Sequence, residues 1–177
     1  MKRFACIIVA AVAVAQFASA QREQPSARST ERITKEVRHE ILMLPWFGVF
    51  DNIAFKVDGY NVTLLGQVAR PSLKGDAEGA VKSIEGVEKV DNQIEVLPTS
   101  PMDDRLRTRL FRAIYGYAPL EKYALGVQKP IRIVVKNGRV TLEGVVDNEG
   151  DKTFAGMCAN GVSGSFSVTN NLRVSPN

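Results

Sequence analysis

The chain repeats itself. Residues 52–97 and 130–175 align at a constant offset of 78 without a gap, and 13 of the 46 aligned pairs are identical. The centre of the match sets Val62-Thr63-Leu64-x-Gly66-x-Val68 against Val140-Thr141-Leu142-x-Gly144-x-Val146. Further identical pairs are Ile53/Ile131, Val57/Val135, Lys74/Lys152, Ala77/Ala155, Gly86/Gly164, Val90/Val168, Asn92/Asn170 and Val96/Val174. Identity spread along one fixed offset favours a duplicated small module over a single large domain. Each copy is only about 70 residues long, near the lower limit for a self-sufficient core, so packing of the copies on each other is expected. A catalytic site present once would have to lie outside the shared pattern, and little of the chain does.

The N-terminus reads as an export signal over residues 1–20: Lys2 and Arg3, an apolar run from Phe4 to Val14, then Ala18-Ser19-Ala20 as a small-x-small cleavage site. The run falls short of the roughly 20 apolar residues a membrane span needs. Cleavage after Ala20 implies a periplasmic or otherwise exported protein and leaves 21 basic against 19 acidic residues, a net of +2 rather than +4. Residues 21–30 are polar and read as a flexible leader. Two modules follow, expected over 31–98 and 103–177. The first carries 8 basic and 11 acidic side chains and the second 11 and 7, so their charges are opposite in sign.

Ile33, Val37, Ile41 and Leu44 fall on one helical face, with Thr30 or Thr34 as a candidate cap. The second copy offers the same helix over Asp103 to Tyr117, with Leu106, Leu110, Ala113, Ile114 and Tyr117 inward and Asp103 or Asp104 as N-cap. Period-two alternation around Asp58-Gly59 and Asn137-Gly138 predicts a hairpin in each copy. Gly66 and Gly144 sit mid-strand, where a missing side chain marks a bulge or a close approach. Helices over Lys74–Ile84 and Lys152–Val162 follow, with Ala77, Ala80, Val81 and Ile84 inward in one and Ala155, Cys158, Ala159 and Val162 in the other. Gly86 and Gly164 end them, and a last strand returns parallel to the one before the helix. The fold class is therefore α+β: two α-β-β-α-β modules, each a three-stranded mixed sheet with two helices.

This order, with Val62-Thr63-Leu64-Leu65-Gly66-Gln67-Val68 and Gly86-Val87-Glu88-Lys89-Val90-Asp91-Asn92-Gln93-Ile94-Glu95-Val96, resembles the BON domain shared by bacterial osmotically inducible periplasmic proteins and nodulation-type proteins. The second copy departs from it with Ser165 where Val87 stands and Ser167 where Lys89 stands. The resemblance covers residues 31–97 and 103–175. It implies a non-enzymatic, export-associated protein that binds phospholipid or supports envelope integrity and stress tolerance.

Chemistry-bearing residues are sparse. With one histidine, His39, on a polar helical face, neither a metal cluster nor a Ser-His pair can be assembled, and no cofactor cradle is present. Cys158 reads as a small apolar core residue. Arg105, Arg109 and Arg112 lie within an arc of about 60° on the second module's first helix, beside its apolar stripe. Basic residues flanking an apolar face suit an anionic phospholipid surface, and they equally suit a solvated face whose apolar side packs on its own sheet. Tyr115 and Tyr117 near the helix end join them as lipid-binding candidates. Trp46, Phe47 and Phe50, in the link between first helix and first strand, either fill a corner of the core or form an exposed wedge for a client protein or membrane. Nucleic acid is excluded for want of an interleaved aromatic and basic surface. The arginine stripe is expected only in the second copy and the aromatic link only in the first.

Overall fold

The computed structural model describes residues 27–175, and the expected signal and most of the polar leader lie outside them. Helix α1 (Ala27–Met43) already begins within that leader, and Thr30 and Thr34 sit inside it, Thr34 Oγ1 donating to the Thr30 carbonyl rather than capping the helix. Ile33, Val37, Ile41 and Leu44 are buried, as their spacing demands. Strands β1 (Asn52–Asp58) and β2 (Asn61–Val68) form the hairpin, α2 (Pro71–Lys82) crosses over, and the chain returns as β3 (Lys89–Asn92) and β4 (Glu95–Val96). β2 is central, antiparallel to β1 and parallel to β3 and β4.

The second module repeats this as α3 (Pro101–Tyr115), β5 (Ile131–Lys136), β6 (Arg139–Val146), α4 (Glu149–Asn160), β7 (Ser167–Asn170) and β8 (Arg173–Val174), with β6 central. The shared residues now have physical roles. Asn92 and Asn170 break the last strand in two: each donates its amide to the Lys74 or Lys152 carbonyl at 2.7 Å and accepts from the N–H two residues on. The last strand is thereby tied to the crossover helix. Gly66 and Gly144 mark a close approach: at φ 110° and 121°, a Cβ would stand 2.1 Å from the Asn52 carbonyl oxygen and 1.9 Å from that of Pro130.

Several boundaries differ from expectation. Asn137 and Gly138 form the second turn, both at positive φ, but the first turn is Gly59-Tyr60, one residue later than Asp58-Gly59. Only Gly59 has positive φ there, the glycine-first form of a two-residue turn. Ser100, not Asp103 or Asp104, caps α3, accepting from the Asp103 N–H at 3.2 Å. Asp103 is buried, and its carboxylate accepts from the Asn137 and Gly138 N–H groups at 2.8 and 2.9 Å, locking the helix to the hairpin tip. Cys158 is half-buried against the second core, and burial raises its thiol pKa, as befits a packing residue.

The second link holds a 3-10 segment (Ala118–Ala124) that buries Leu120 and Tyr123. Its Tyr123 hydroxyl donates to buried Asp151 at 2.6 Å, and Lys122 reaches Asp151 and Asp147, both at 2.7 Å. Burial pushes the Asp151 carboxyl up, but the bonds from Lys122, Tyr123 and Asn148 outweigh it and hold the pKa below its ordinary value. The network therefore stabilises the fold above the unfolded-state pKa of about 3.9 and loses that contribution as pH falls through the folded one. Thermal melts across pH 2 to 6 are expected to show this acid limb in the native chain and a flatter one in Asp151→Asn.

The modules pack on each other through the first link. Val49 and Phe50 join the second module's core, Phe50 meeting Phe111 edge-on at 6.4 Å between centroids. The Ile133 N–H donates to the Val49 carbonyl at 2.8 Å, and Arg132 donates to that of Gly48, also at 2.8 Å. A Lys136–Glu95 ion pair also links the two modules.

Candidate functional site

Helix α3 is built to present its outer face. Ser100 and Pro101 start it, Asp103 and Asp104 in the first turn and Arg112 in the last complement its dipole, and the Gly116 N–H closes it on the Arg112 carbonyl. Leu106, Leu110 and Ile114 bury its inner side. Arg107 is buried as well, donating to the Val135 carbonyl at 2.7 Å and pairing with Asp104 at 2.5 Å. This consumes the acidic group nearest the outer face.

Arg105, Arg109 and Arg112 are exposed and line one shallow groove with Met102, Asp104 and Thr108. Arg105 touches the Met102 sulfur at 3.0 Å and Arg109 the Ser163 hydroxyl at 3.4 Å. None of the three makes an ion pair among the described residues.

Of the two tyrosines expected beside them, Tyr115 is not at the surface. It is 5% exposed, its hydroxyl donating to the Ile131 carbonyl at 2.7 Å and accepting from the Ile131 N–H at 3.1 Å, and burial raises its pKa. The helix ends at Tyr115, so the spacing that places Tyr117 inward does not extend to it, and the Ile131 backbone holds Tyr115 in the interior instead. Tyr117 lies past the helix end, part exposed and edge-on to Phe154 at 5.6 Å.

The aromatic link divides. Phe50 is interface packing, and Phe47 is half-buried beneath the Arg132 guanidinium, 4.5 Å from its ring centre. Trp46 is 71% exposed at φ 68°, with Arg70 5.0 Å above its ring, so the lone tryptophan does not fill a core corner.

The basic stripe proves to be duplicated. Arg28, Arg32 and Lys35 precede Arg105, Arg109 and Arg112 by 77 residues, one less than the strand offset, as buried Ile33 and Val37 precede Leu110 and Ile114. A one-residue shift across the link was the signal that hid this equivalence. The tertiary contacts agree: Arg32 reaches the Glu85 carbonyl beside Gly86, and Arg109 lies against Gly164. In the first module Arg32 pairs with Glu36 at 2.8 Å and Lys35 with Glu31 at 2.7 Å. Thr108 and Ala113 replace those glutamates in the second, leaving its cations unneutralised.

Two copies of one α-β-β-α-β unit, packed together through the aromatic link and bearing one partly paired basic helix face and one without ion pairs among the described residues, define a tandem α+β module protein. The chain belongs to the BON domain family, whose model matches residues 29–98 and 120–176. The family is generally non-enzymatic and suggests a membrane or phospholipid-binding module. A search of curated proteins finds no match. Among solved structures the chain is similar to CdsD, a structural protein of the type III secretion system of Chlamydia trachomatis, at 14% identity over 82% of this chain and 93% of that one, with a TM-score of 0.30. The C-terminal domain of the same protein matches at 15% identity over 80% of this chain and 96% of that one, with a TM-score of 0.29.

Proposed function

We propose that this is an exported envelope protein whose second module holds it at anionic phospholipid surfaces through Arg105, Arg109 and Arg112, in support of envelope integrity. The observation that carries this is the contrast between the two helix faces: Arg32 and Lys35 are paired with Glu36 and Glu31 in the first module, whereas their equivalents Arg109 and Arg112 have no ion-pair partner among the described residues in the second. Free cations at a membrane surface contribute about 1 kcal/mol each, whereas cations already paired contribute little attraction for a second anion. Exposed Met102 at the head of the stripe adds an apolar contact suited to the headgroup boundary. Among the described residues no helix is long and apolar enough to cross a membrane.

Flotation with phosphatidylglycerol and phosphatidylcholine vesicles tests this. Binding is expected to require the anionic lipid, to weaken with salt, and to fall roughly 100-fold in the triple Arg105→Ala, Arg109→Ala, Arg112→Ala variant. The double variant Glu31→Gln, Glu36→Gln frees the first module's stripe and is expected to strengthen binding. Equal flotation with both lipids would overturn the proposal.

A further inference from the structure

The surface where the two modules meet carries a second unneutralised basic feature, on a different face from α3. A groove of about 420 Å³ runs between them, with Arg38 from the first module and Lys129, Arg132 and Arg173 from the second along its walls. No carboxylate lines it. Asp51, behind the wall, spends both oxygens on the Gly48 and Ala69 N–H groups at 2.9 and 2.8 Å. Arg132 and Lys129 are fixed by bonds to backbone carbonyls, whereas Arg38 and Arg173 are exposed and have no ion-pair partner among the described residues.

The floor and rim are apolar. Phe47 and Phe55 line the floor. At the rim, the Gln128 side chain donates to the Leu42 carbonyl at 2.9 Å, which brings the second link against the end of α1. Leu42 and Val145 line the groove and are 37% and 40% exposed. Exposed apolar residues gathered at a rim mark an interaction surface rather than a solvated one.

We infer that this intermodule groove docks an acidic amphipathic segment of a partner protein, its carboxylates meeting Arg38, Lys129, Arg132 and Arg173 and its apolar side chains resting on Leu42 and Val145. A concave groove excludes a flat bilayer but admits a helix or extended strand. Four cations without a single acid also exceed what one lipid headgroup would neutralise, and a run of carboxylates matches them. The groove exists only because both links converge on it, and those links are the segments in which the two copies differ most.

Selecting a random 12-residue peptide display library on the whole chain tests this, followed by fluorescence anisotropy with the most enriched peptide. Enriched peptides are expected to combine Asp or Glu with Leu, Ile or Phe, and Arg38→Glu, Arg173→Glu is expected to weaken the best one at least about tenfold, as charge reversal does across complementary interfaces. Both positions are exposed, so the doubly substituted chain should keep its circular dichroism spectrum and its flotation with phosphatidylglycerol vesicles. Arg105→Ala, Arg109→Ala, Arg112→Ala should leave peptide binding unchanged. Peptides without acidic enrichment, equal binding to the charge-reversed chain, or loss of vesicle binding in the groove variant would each overturn the inference, the last assigning the groove to the membrane instead.

Discussion

Gly144→Ala is expected to unfold the second module at a temperature on the order of 10–20 °C below that of the native chain, a loss of about 3 kcal/mol or more. Two costs combine. The residue sits at φ 121°, where an L side chain is strained by about 1–3 kcal/mol. Its Cβ would also stand 1.9 Å from the Pro130 carbonyl oxygen, and that atom is backbone, so no rotamer change relieves the contact. Relief requires β5 to part from β6, the central strand of the module. Gly75 and Gly79 provide the control of opposite sign. Both lie within α2 with open space where a Cβ would go, so alanine there is expected to raise stability by about 0.5–1 kcal/mol through lower unfolded-state entropy. Calorimetry on the three variants separates the readings, and a Gly144→Ala chain that melts like the native one would refute the close approach.

Asp103→Ala is expected to cost about 2–4 kcal/mol, since it strips charge-assisted acceptors from two backbone donors at once. The Gly138 N–H is buried with its residue, and water cannot replace the lost oxygen without opening the turn. The same substitution removes a negative charge from the first turn of α3, where the helix dipole favours it. Urea unfolding should show a lower midpoint with an unchanged slope. Hydrogen exchange should accelerate at Asn137 and Gly138 while the Gly59-Tyr60 turn of the first module stays as in the native chain. Asp103→Asn retains one acceptor oxygen and should fall between the two.

Much of this architecture was legible beforehand. The α-β-β-α-β order followed from periodicity at Ile33, Val37 and Ile41, from the Asn137-Gly138 turn, and from glycines whose positions made sense only as turns or close approaches. These are local signals, each set by backbone sterics or side-chain spacing within a few residues. The candidate site was legible in part. Arg105, Arg109 and Arg112 share an exposed face because helical geometry places them together whatever surrounds the helix. Helical spacing sets Tyr115 on the face opposite Leu106, toward the surface, and only the Ile131 backbone pairing with its hydroxyl holds it inside.

The sequence by itself determined the duplication, the fold class of each copy and the opposite charge of the two modules, because repetition, periodicity and composition are properties of the chain. Only the tertiary structure decided how the aromatic link is divided. Phe50 is drawn into the second module's core, Phe47 is half-covered under Arg132, and Trp46 is left outside. Nothing local distinguishes three neighbouring aromatics. Their fates depend on where the second module's β5 and Arg132 lie, more than 80 residues away along the chain.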